Sequence, residues 1–406
     1  MNVLILGLNY APEPVGIGPY TTGMAEALAA AGHGVSVVCA KPYYPYWQVE
    51  QAFRGVRAQR GIEGGAKVIR VPIYVPRAPN GARRLLHHAS FALRAFPALL
   101  AEARRQRPHV VVAIAPSLLS AAIARAVARL LGAKLWLHVQ DFELDAAFAT
   151  GLLPGEGALS RAARAFETWS LEADRVSTIS PQMCARLSTR GVASDKIVEF
   201  RNWATLDDIA AGGPARGYRQ EWGIDRPHVA VYSGAIGHKQ GIELIVEAAR
   251  RLQHRRDLAF VVCGDGPQRA RLAAAAAGLD NIQFRALQPR ERLGELLALA
   301  SVHLLPQIAG AADLLLPSKL TNMLASGRPV VATADRDTGL AHEVEGCGLI
   351  VRPGDAAKFA SAIERLVDDR SLAAALGAKA RMRAQERWSR SSILTRFERQ
   401  LCELAA

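Results

Sequence analysis

Short runs of β-branched and other apolar residues alternate along the chain with longer stretches of helical spacing. VLILG (3–7), VSVVCA (35–40), KVIRVPI (67–73), VVVAIAP (110–116), KLWLHV (134–139) and RVSTIS (175–180) form a first series. HVAVYSG (228–234), AFVVCGDG (259–266), IQFRAL (282–287), SVHLLPQ (301–307), PVVATA (329–334) and GLIVRPGD (348–355) form a second. Runs this continuously apolar predict strands covered on both faces, hence parallel sheets with helices on either side. Two successive series predict two Rossmann-like α/β domains. Between them DDIAAGGPARGYRQEWGIDRP is rich in Gly, Pro and charge and lacks apolar periodicity, as a linker does. The boundaries expected are 1–205 for the first domain, 206–226 for the linker, 227–385 for the second domain and 386–406 for a terminal helix. In that helix Trp388, Ile393, Leu394, Phe397 and Leu401 share helical spacing and need an apolar surface to cover them.

Length and composition fit this organisation. A chain of 406 residues, half of them hydrophobic, can bury a large core and favours two domains over one. Its formal net charge of +13 attracts anions: nucleic acid, anionic lipid or phosphorylated small molecules. Cys39, Cys184, Cys263, Cys347 and Cys402 stand singly, so neither a disulfide framework nor a zinc site is suggested, and a reducing cytoplasm fits. The opening MNVLILGLNYAPEP lacks a basic flank and a cleavage site, so it reads as a first strand and not as a signal peptide. The longest apolar stretch, residues 110–139, is interrupted by Pro116, Arg125, Arg129 and Lys134 and fails as a membrane span.

Open parallel sheets bind ligands beyond the carboxyl ends of their strands, so the polar residues just after strands are the candidates. Gly16 and Gly18 lie between strand 1 and a helix, where bare backbone can approach a phosphate or simply make a tight turn. Their spacing is not G-x-G-x-x-G, and VVCAKPYYP after strand 2 carries no acidic ribose partner, so a nicotinamide site is disfavoured. His138 ends a strand three residues before Asp141, with Glu143 beyond, offering acid, base or hydroxyl-binding groups; a hydrogen-bonded core histidine is the competing reading. His33 sits in a helix-to-strand turn and reads as structural, while His238 and His342 stay unassigned.

In the second half, Gly234, Gly237 and Gly241 surround Lys239, which supplies charge for a diphosphate or is a solvated surface lysine. Gly264, Asp265 and Gly266 offer a phosphate or sugar approach, or a turn. The most informative stretch is DLLLPSKLTNMLASGRPVVAT, from Asp313 to Thr333. Pro317 and Ser318 look like a helix start, and Ser318, Lys319 and Asn322 then neighbour one another at one-turn spacing. A helix N-terminus with a hydroxyl and a lysine suits an anion, and an amide one turn on can bond a sugar hydroxyl. The tripeptide Asp335 to Asp337 matches a metal-binding D-x-D by letters only. Residues 81–108 mix Leu85, Leu86, Phe91, Leu93, Phe96, Leu99 and Leu100 with Arg83, Arg84, Arg94, Arg104, Arg105 and Arg107. That composition suits an interfacial helix on an anionic membrane, or a helix covering the first sheet, on different faces.

Six stretches together resemble a known family over nearly the whole chain: LNYAPEPVGIGPYTTGMAEALAAAGHGVSVVCA, STISPQMCARL, EFRNWATLDDI, YSGAIGHKQGIELI, VVCGDGPQ and PSKLTNMLASGRPVVAT. The chain is similar to GT-B-fold, family-4 retaining glycosyltransferases, and within them to the WcaI-like branch of colanic-acid enzymes. The resemblance implies two Rossmann-like domains facing across a cleft, with the C-terminal helix returning to the first. It implies transfer of a sugar from a nucleotide-sugar donor, a substrate and not a cofactor, onto a lipid-linked or nascent exopolysaccharide glycan, with retention and without a bound metal. It places the diphosphate near Gly16, Gly18, Lys239 and the Ser318–Lys319 helix start, and the donor sugar near His138; Gly264 as a donor-binding residue and Asp141 as a catalytic partner of His138 are expected from their positions after strands. Asn322 stands where many members have a ribose-binding glutamate, and Asp313 is one residue out of register with the first glutamate of the family motif. Ala235 replaces a common arginine, for which Lys319 is the expected substitute charge. The location implied is cytoplasmic, peripheral on the inner face of the plasma membrane, with no nucleic-acid partner. A nucleotide-sugar epimerase of the same fold and a non-enzymatic basic module are the alternatives.

Overall fold

The computed structural model describes residues 1–14, 16–77, 81–115, 118–142, 157–204, 216–309 and 318–406. Two compact units emerge: Met1–Arg201 together with Leu394–Ala406, and Asn202–Ile393. The chain is α/β throughout.

Unit 1 contains β1 (Asn2–Gly7), β2 (Gly34–Ala40), β3 (Gln59–Glu63), β4 (Ala66–Val71), β5 (Val110–Ala115), β6 (Lys134–Val139), β7 (Arg175–Thr178) and β8 (Ile197–Glu199). They form one sheet in the order β3-β4-β2-β1-β5-β6-β7-β8. Every neighbouring pair is parallel except β3 with β4; Ile5, for example, pairs with Val37 on one side and Val112 on the other. The helices are α1 (Gly18–Ala30), α2 (Gly81–Gln106), α3 (Leu118–Leu131), α4 (Ala158–Ser170) and α5 (Pro181–Thr189). Val3 to Leu6 and Val110 to Ala113 are fully buried, as two-sided coverage demands. Two strands escape the apolar pattern. β3 is an exposed antiparallel edge that leaves Ile62 81% exposed, and β8 is only 3 residues long, so neither needs a continuous apolar run.

Unit 2 contains β9 (His228–Ser233), β10 (Leu258–Cys263), β11 (Ile282–Arg285), β12 (Val302–Leu305), β13 (Val330–Thr333) and β14 (Gly348–Val351), all parallel in the order β11-β10-β9-β12-β13-β14. Its helices are α6 (Arg216–Glu221), α7 (Glu243–Arg251), α8 (Arg269–Ala275), α9 (Leu293–Ala298), α10 (Ser318–Ala325), α11 (Gly339–Val344), α12 (Ala356–Asp368) and α13 (Arg370–Trp388). Thr338, Asp355 and Asp369 cap α11, α12 and α13 with their side chains. Of the stretch expected as linker, residues 206–215 lie outside the described residues. The part that follows carries α6, and Tyr218, Trp222 and Ile224 are buried beside Val229 and Val231 of β9.

The last helix, α14 (Arg390–Ala405), answers its own apolar periodicity. Phe397 stacks on Phe200 at 4.6 Å and meets Trp136 edge-on at 5.1 Å, within unit 1. His33 bonds Glu398 of the same helix at 3.1 Å, a structural role as expected.

Candidate active site

Each sheet reverses its winding once, between β1 and β5 in unit 1 and between β9 and β12 in unit 2. In doubly wound folds the crevice outside the carboxyl ends of strands at that reversal is where ligands bind.

In unit 2, β9 runs out through Tyr232 and Ser233 into Gly234. Gly264, after the neighbouring β10, sits so close that a Cβ on it would fall 1.9 Å from the Gly234 carbonyl oxygen. Only a glycine lets these two strand ends approach in this way. The N-terminus of α10 delivers Lys319 to the same place, where its Nζ would stand 3.1 Å from a Cβ on Gly234. That ammonium donates to the Tyr232 hydroxyl at 2.6 Å, and the hydroxyl in turn donates to the Ala235 carbonyl at 2.5 Å. It also lies 4.2 Å from the Tyr232 ring centroid. Burial pushes the Lys319 pKa down to about 8 and pushes that of Tyr232 up. Among the described residues Lys319 has no carboxylate partner, and a neutral hydroxyl holds the cation at the strand-end edge.

Asn322 follows one turn after Lys319 and is half-buried. Lys239 lies in a short 3-10 turn, His238–Gln240, whose first glycine donates its N–H to Gln240 Oε1 at 3.1 Å. The Lys239 and Ser318 side chains, and all of Asp313 and Pro317, lie outside the described residues. Asp265 caps its own loop by accepting from Gly266 N at 2.8 Å. Asp335, Arg336 and Asp337 form an exposed turn leading to Thr338. Among the described residues, no cluster of three or more His, Cys, Asp or Glu is arranged to hold a metal ion.

In unit 1, the loop after β1 brings Gly16 and Gly18 to the start of α1. Gly16 has φ 74, and a Cβ there would lie 3.1 Å from the Tyr44 ring. Glu13 organises this loop. It is buried, accepts from Tyr43 N and Tyr44 N at 2.9 and 3.0 Å, and accepts from Asn9 Nδ2 at 2.7 Å. Burial raises the Glu13 pKa, while those three donors pull it back toward the ionised form.

His138 is buried, and both ring nitrogens have protein partners: Nδ1 with Ser177 Oγ at 2.9 Å and Nε2 with Gln140 Nε2 at 2.8 Å. A side-chain amide nitrogen can only donate, so Nε2 is the acceptor and Nδ1 carries the proton. Burial holds the imidazole neutral by pushing its pKa down to about 3. Asp141 is exposed and accepts from Phe142 N at 2.8 Å; Glu143 lies outside the described residues. Sequence reasoning missed Tyr232, Gln140 and Glu13. The only available signals were a tyrosine at a strand end, a glutamine between His138 and Asp141, and an acid inside a proline-flanked turn.

Two successive Rossmann-like units are the GT-B architecture, and the family matches make the chain a glycosyltransferase. The chain belongs to the group 1 glycosyltransferases: a family described as "Glycosyl transferase 4-like domain" matches residues 15–203, and "Glycosyl transferases group 1" matches residues 227–369. It is 42% identical over 364 residues, covering 87% of this chain and 89% of the relative, to the protein of Escherichia coli (strain K12) named as the colanic acid biosynthesis glycosyl transferase WcaI. It is 30% identical over 158 residues to an alpha-D-kanosaminyltransferase of Streptomyces kanamyceticus, covering 38% of this chain and 40% of the relative. Among solved structures, sucrose-phosphate synthase from Thermosynechococcus elongatus superposes with a TM-score of 0.72 at 21% identity, covering 99% of this chain and 98% of the other. Anabaena HepE in complex with UDP superposes with a TM-score of 0.68 at 14% identity, covering 99% and 100%.

Proposed function

We propose that the chain transfers a sugar from a nucleoside-diphosphate donor to a lipid-linked or nascent exopolysaccharide glycan, as the WcaI likeness suggests, with retention and without a metal. The observation that carries this reading is Lys319: a half-buried cation held by the Tyr232 hydroxyl, with no carboxylate partner among the described residues, at the unit 2 sheet reversal and in the first turn of α10. A departing nucleoside diphosphate gathers negative charge, and a fixed ammonium with a helix N-terminus stabilises that charge more than it stabilises the bound donor. Gly234 and Gly264 keep side chains out of the way, while Lys239, Ser318 and Asn322 complete the donor contacts in this reading. Asn322 takes the ribose, and Asp313 stands near the first motif position. Gly16 and Gly18 are further donor contacts in this reading. His138 serves as a neutral hydrogen-bonding group for the donor sugar, with Asp141 beside it; Gln140 must release the imidazole Nε2 for that contact to form.

A thermal-shift panel of nucleoside diphosphates and their sugars tests the donor assignment, because a ligand of the native state raises the melting temperature by mass action. Stabilisation by a matching diphosphate and its sugar is expected, and no response to any of them would overturn it. Incubation with donor alone separates transfer from epimerisation: rapid release of an altered free sugar without acceptor would favour an epimerase. Full turnover in a chelator is the matching expectation for metal independence.

The second part of the proposal is a peripheral position on an anionic bilayer. Among the described residues, no helix is long and apolar enough to cross a membrane. Yet α2 is apolar on two faces. Phe91, Ala95 and Leu99 are buried against the sheet, whereas Leu85, Leu86, Leu93 and Phe96 are 61%, 55%, 76% and 39% exposed. These four fall within an arc of about 100° on the helix. Arg83, Arg94 and Arg104 are exposed on the same helix, and they suit lipid phosphate where the leucines suit the acyl boundary.

A further inference from the structure

The segment KPYYPYWQ leaves β2 at the carboxyl edge of the unit 1 sheet and concentrates Tyr43, Tyr44, Tyr46 and Trp47 there. Tyr43 belongs to the core of unit 1, and Tyr44 and Trp47 pack against that core from its rim. Tyr43 is buried, Trp47 is half-buried and Tyr46 is 83% exposed. Trp47 lies 5.5 Å from Tyr43 and 5.4 Å from His87 of α2, with His88 a further 5.6 Å from His87. The guanidinium of Arg84, itself exposed, stands 5.5 Å from the Trp47 ring centroid. Trp47 also has φ 52, a left-handed backbone that a bulky residue adopts only where its surroundings force it.

Beneath the tryptophan, His87 is held by its Nδ1, which donates to the Tyr74 carbonyl at 2.5 Å. A carbonyl can only accept, so Nε2 is a bare acceptor, and it is buried with no hydrogen-bond partner among the described residues. A buried acceptor left open inside a cluster of polar-edged rings marks an incomplete network.

An indole face, a guanidinium beside it and imidazole edges suit a sugar phosphate. The C–H face of a pyranose lies on an aromatic ring, and a planar guanidinium takes phosphate oxygens in a forked contact. We propose that Trp47, Tyr43, His88 and Arg84 form the subsite for the sugar-diphosphate head of a lipid-linked acceptor, with Trp47 under the sugar ring, Arg84 on the phosphate and His87 positioning the tryptophan. This rests on the lipid-linked acceptor proposed above and names where its head is held. One connection supports the placement. Glu13 binds the Tyr43 and Tyr44 amides, so the aromatic segment is fixed to the Gly16–Gly18 loop at the sheet reversal.

The test compares farnesyl diphosphate with farnesyl diphosphate bearing glucose, galactose or fucose, titrated into the full chain by calorimetry. At least one sugar-bearing probe is expected to bind about tenfold more tightly than the bare diphosphate. Trp47→Ala should erase that difference, Trp47→Phe should keep most of it, and Arg84→Gln should weaken all the probes together. An unchanged sugar increment in a folded Trp47→Ala variant, or no increment for any of the three sugars in the parent chain, overturns the subsite. Nucleoside-diphosphate binding is read on the same samples. If it is present while the sugar increment is absent, only this subsite fails; if it too is absent, the transferase reading fails with it.

Discussion

At the scale of single residues, Lys319 and its tyrosine carry the proposed donor chemistry. With a pKa near 8 in the free protein, the ammonium is charged below that pH and neutral above it. Bound diphosphate favours the charged form, so nucleotide affinity should hold below about pH 8 and fall as pH rises further, with proton uptake on binding near pH 8. Calorimetry in buffers of different ionisation enthalpy measures that uptake directly. Lys319→Ala should weaken donor binding by about 1.5 to 3 kcal/mol, the usual cost of a charged hydrogen bond, without a fall in melting temperature. Unaltered affinity in that variant would remove Lys319 from the donor site. At Asn322 the test is one of tolerance: Asn322→Ala should raise the donor KM, and Asn322→Glu should restore it if this position holds the ribose. Loss of activity in both would argue that the amide does something a carboxylate cannot.

At the level of elements, the loops after β9 and β10 depend on two backbones touching. Gly264→Ala puts a methyl carbon against the Gly234 carbonyl, so it should destabilise unit 2 by about 1 to 3 kcal/mol and lower nucleotide affinity together with stability. A denaturant series read alongside a nucleotide titration checks both. The exposed face of α2 makes a separate prediction. The chain should sediment with anionic vesicles and not with neutral ones, and salt should release it, since the Debye length contracts to about 3 Å at 1 M. Arg83→Glu with Arg94→Glu should abolish sedimentation while leaving the melting temperature unchanged. Equal recovery on both vesicle types would leave a soluble acceptor as the better reading.

Over the whole molecule, three histidines are buried in neutral form: His87 and His138 in unit 1, and His303 in unit 2. Burial depresses their pKa values to about 4, about 3 and about 3. In the unfolded chain each titrates near its ordinary value of about 6.5. The unfolded state therefore binds more protons below that point, and stability is retained above about pH 6.5 and lost as pH falls toward the folded-state values, by about 1.4 kcal/mol per pH unit for each histidine. Urea unfolding between about pH 7 and about pH 5 should show this slope. His303→Gln should flatten it by about one proton in unit 2 and leave unit 1 unaltered, whereas an unchanged slope in unit 2 would mean that His303 is not buried neutral.

The alternation of apolar runs with helical stretches determined the sheets by itself, because a strand covered on both faces must be apolar along its length whatever its neighbours are. Phe397 and Leu401 likewise announced a helix that needed a surface, although only folding chose Trp136 and Phe200 as that surface. The edge strand β3 left no such mark, since one open edge and an exposed face impose no pattern. The candidate site divides in the same way. Lys319 and Asn322 were legible from a helix start with polar residues at one-turn spacing, and Gly264 from its place after a strand. Tertiary structure alone decided that Tyr232 would hold Lys319, that Gln140 would close the second nitrogen of His138, and that Glu13 would tie the glycine loop to Tyr43. It also turned Leu85, Leu86, Leu93 and Phe96 outward while burying Phe91 and Leu99. Local spacing states which residues share a face of one element. Which face meets the sheet, and which side chains from distant strands meet one another, depends on contacts between segments far apart in the chain.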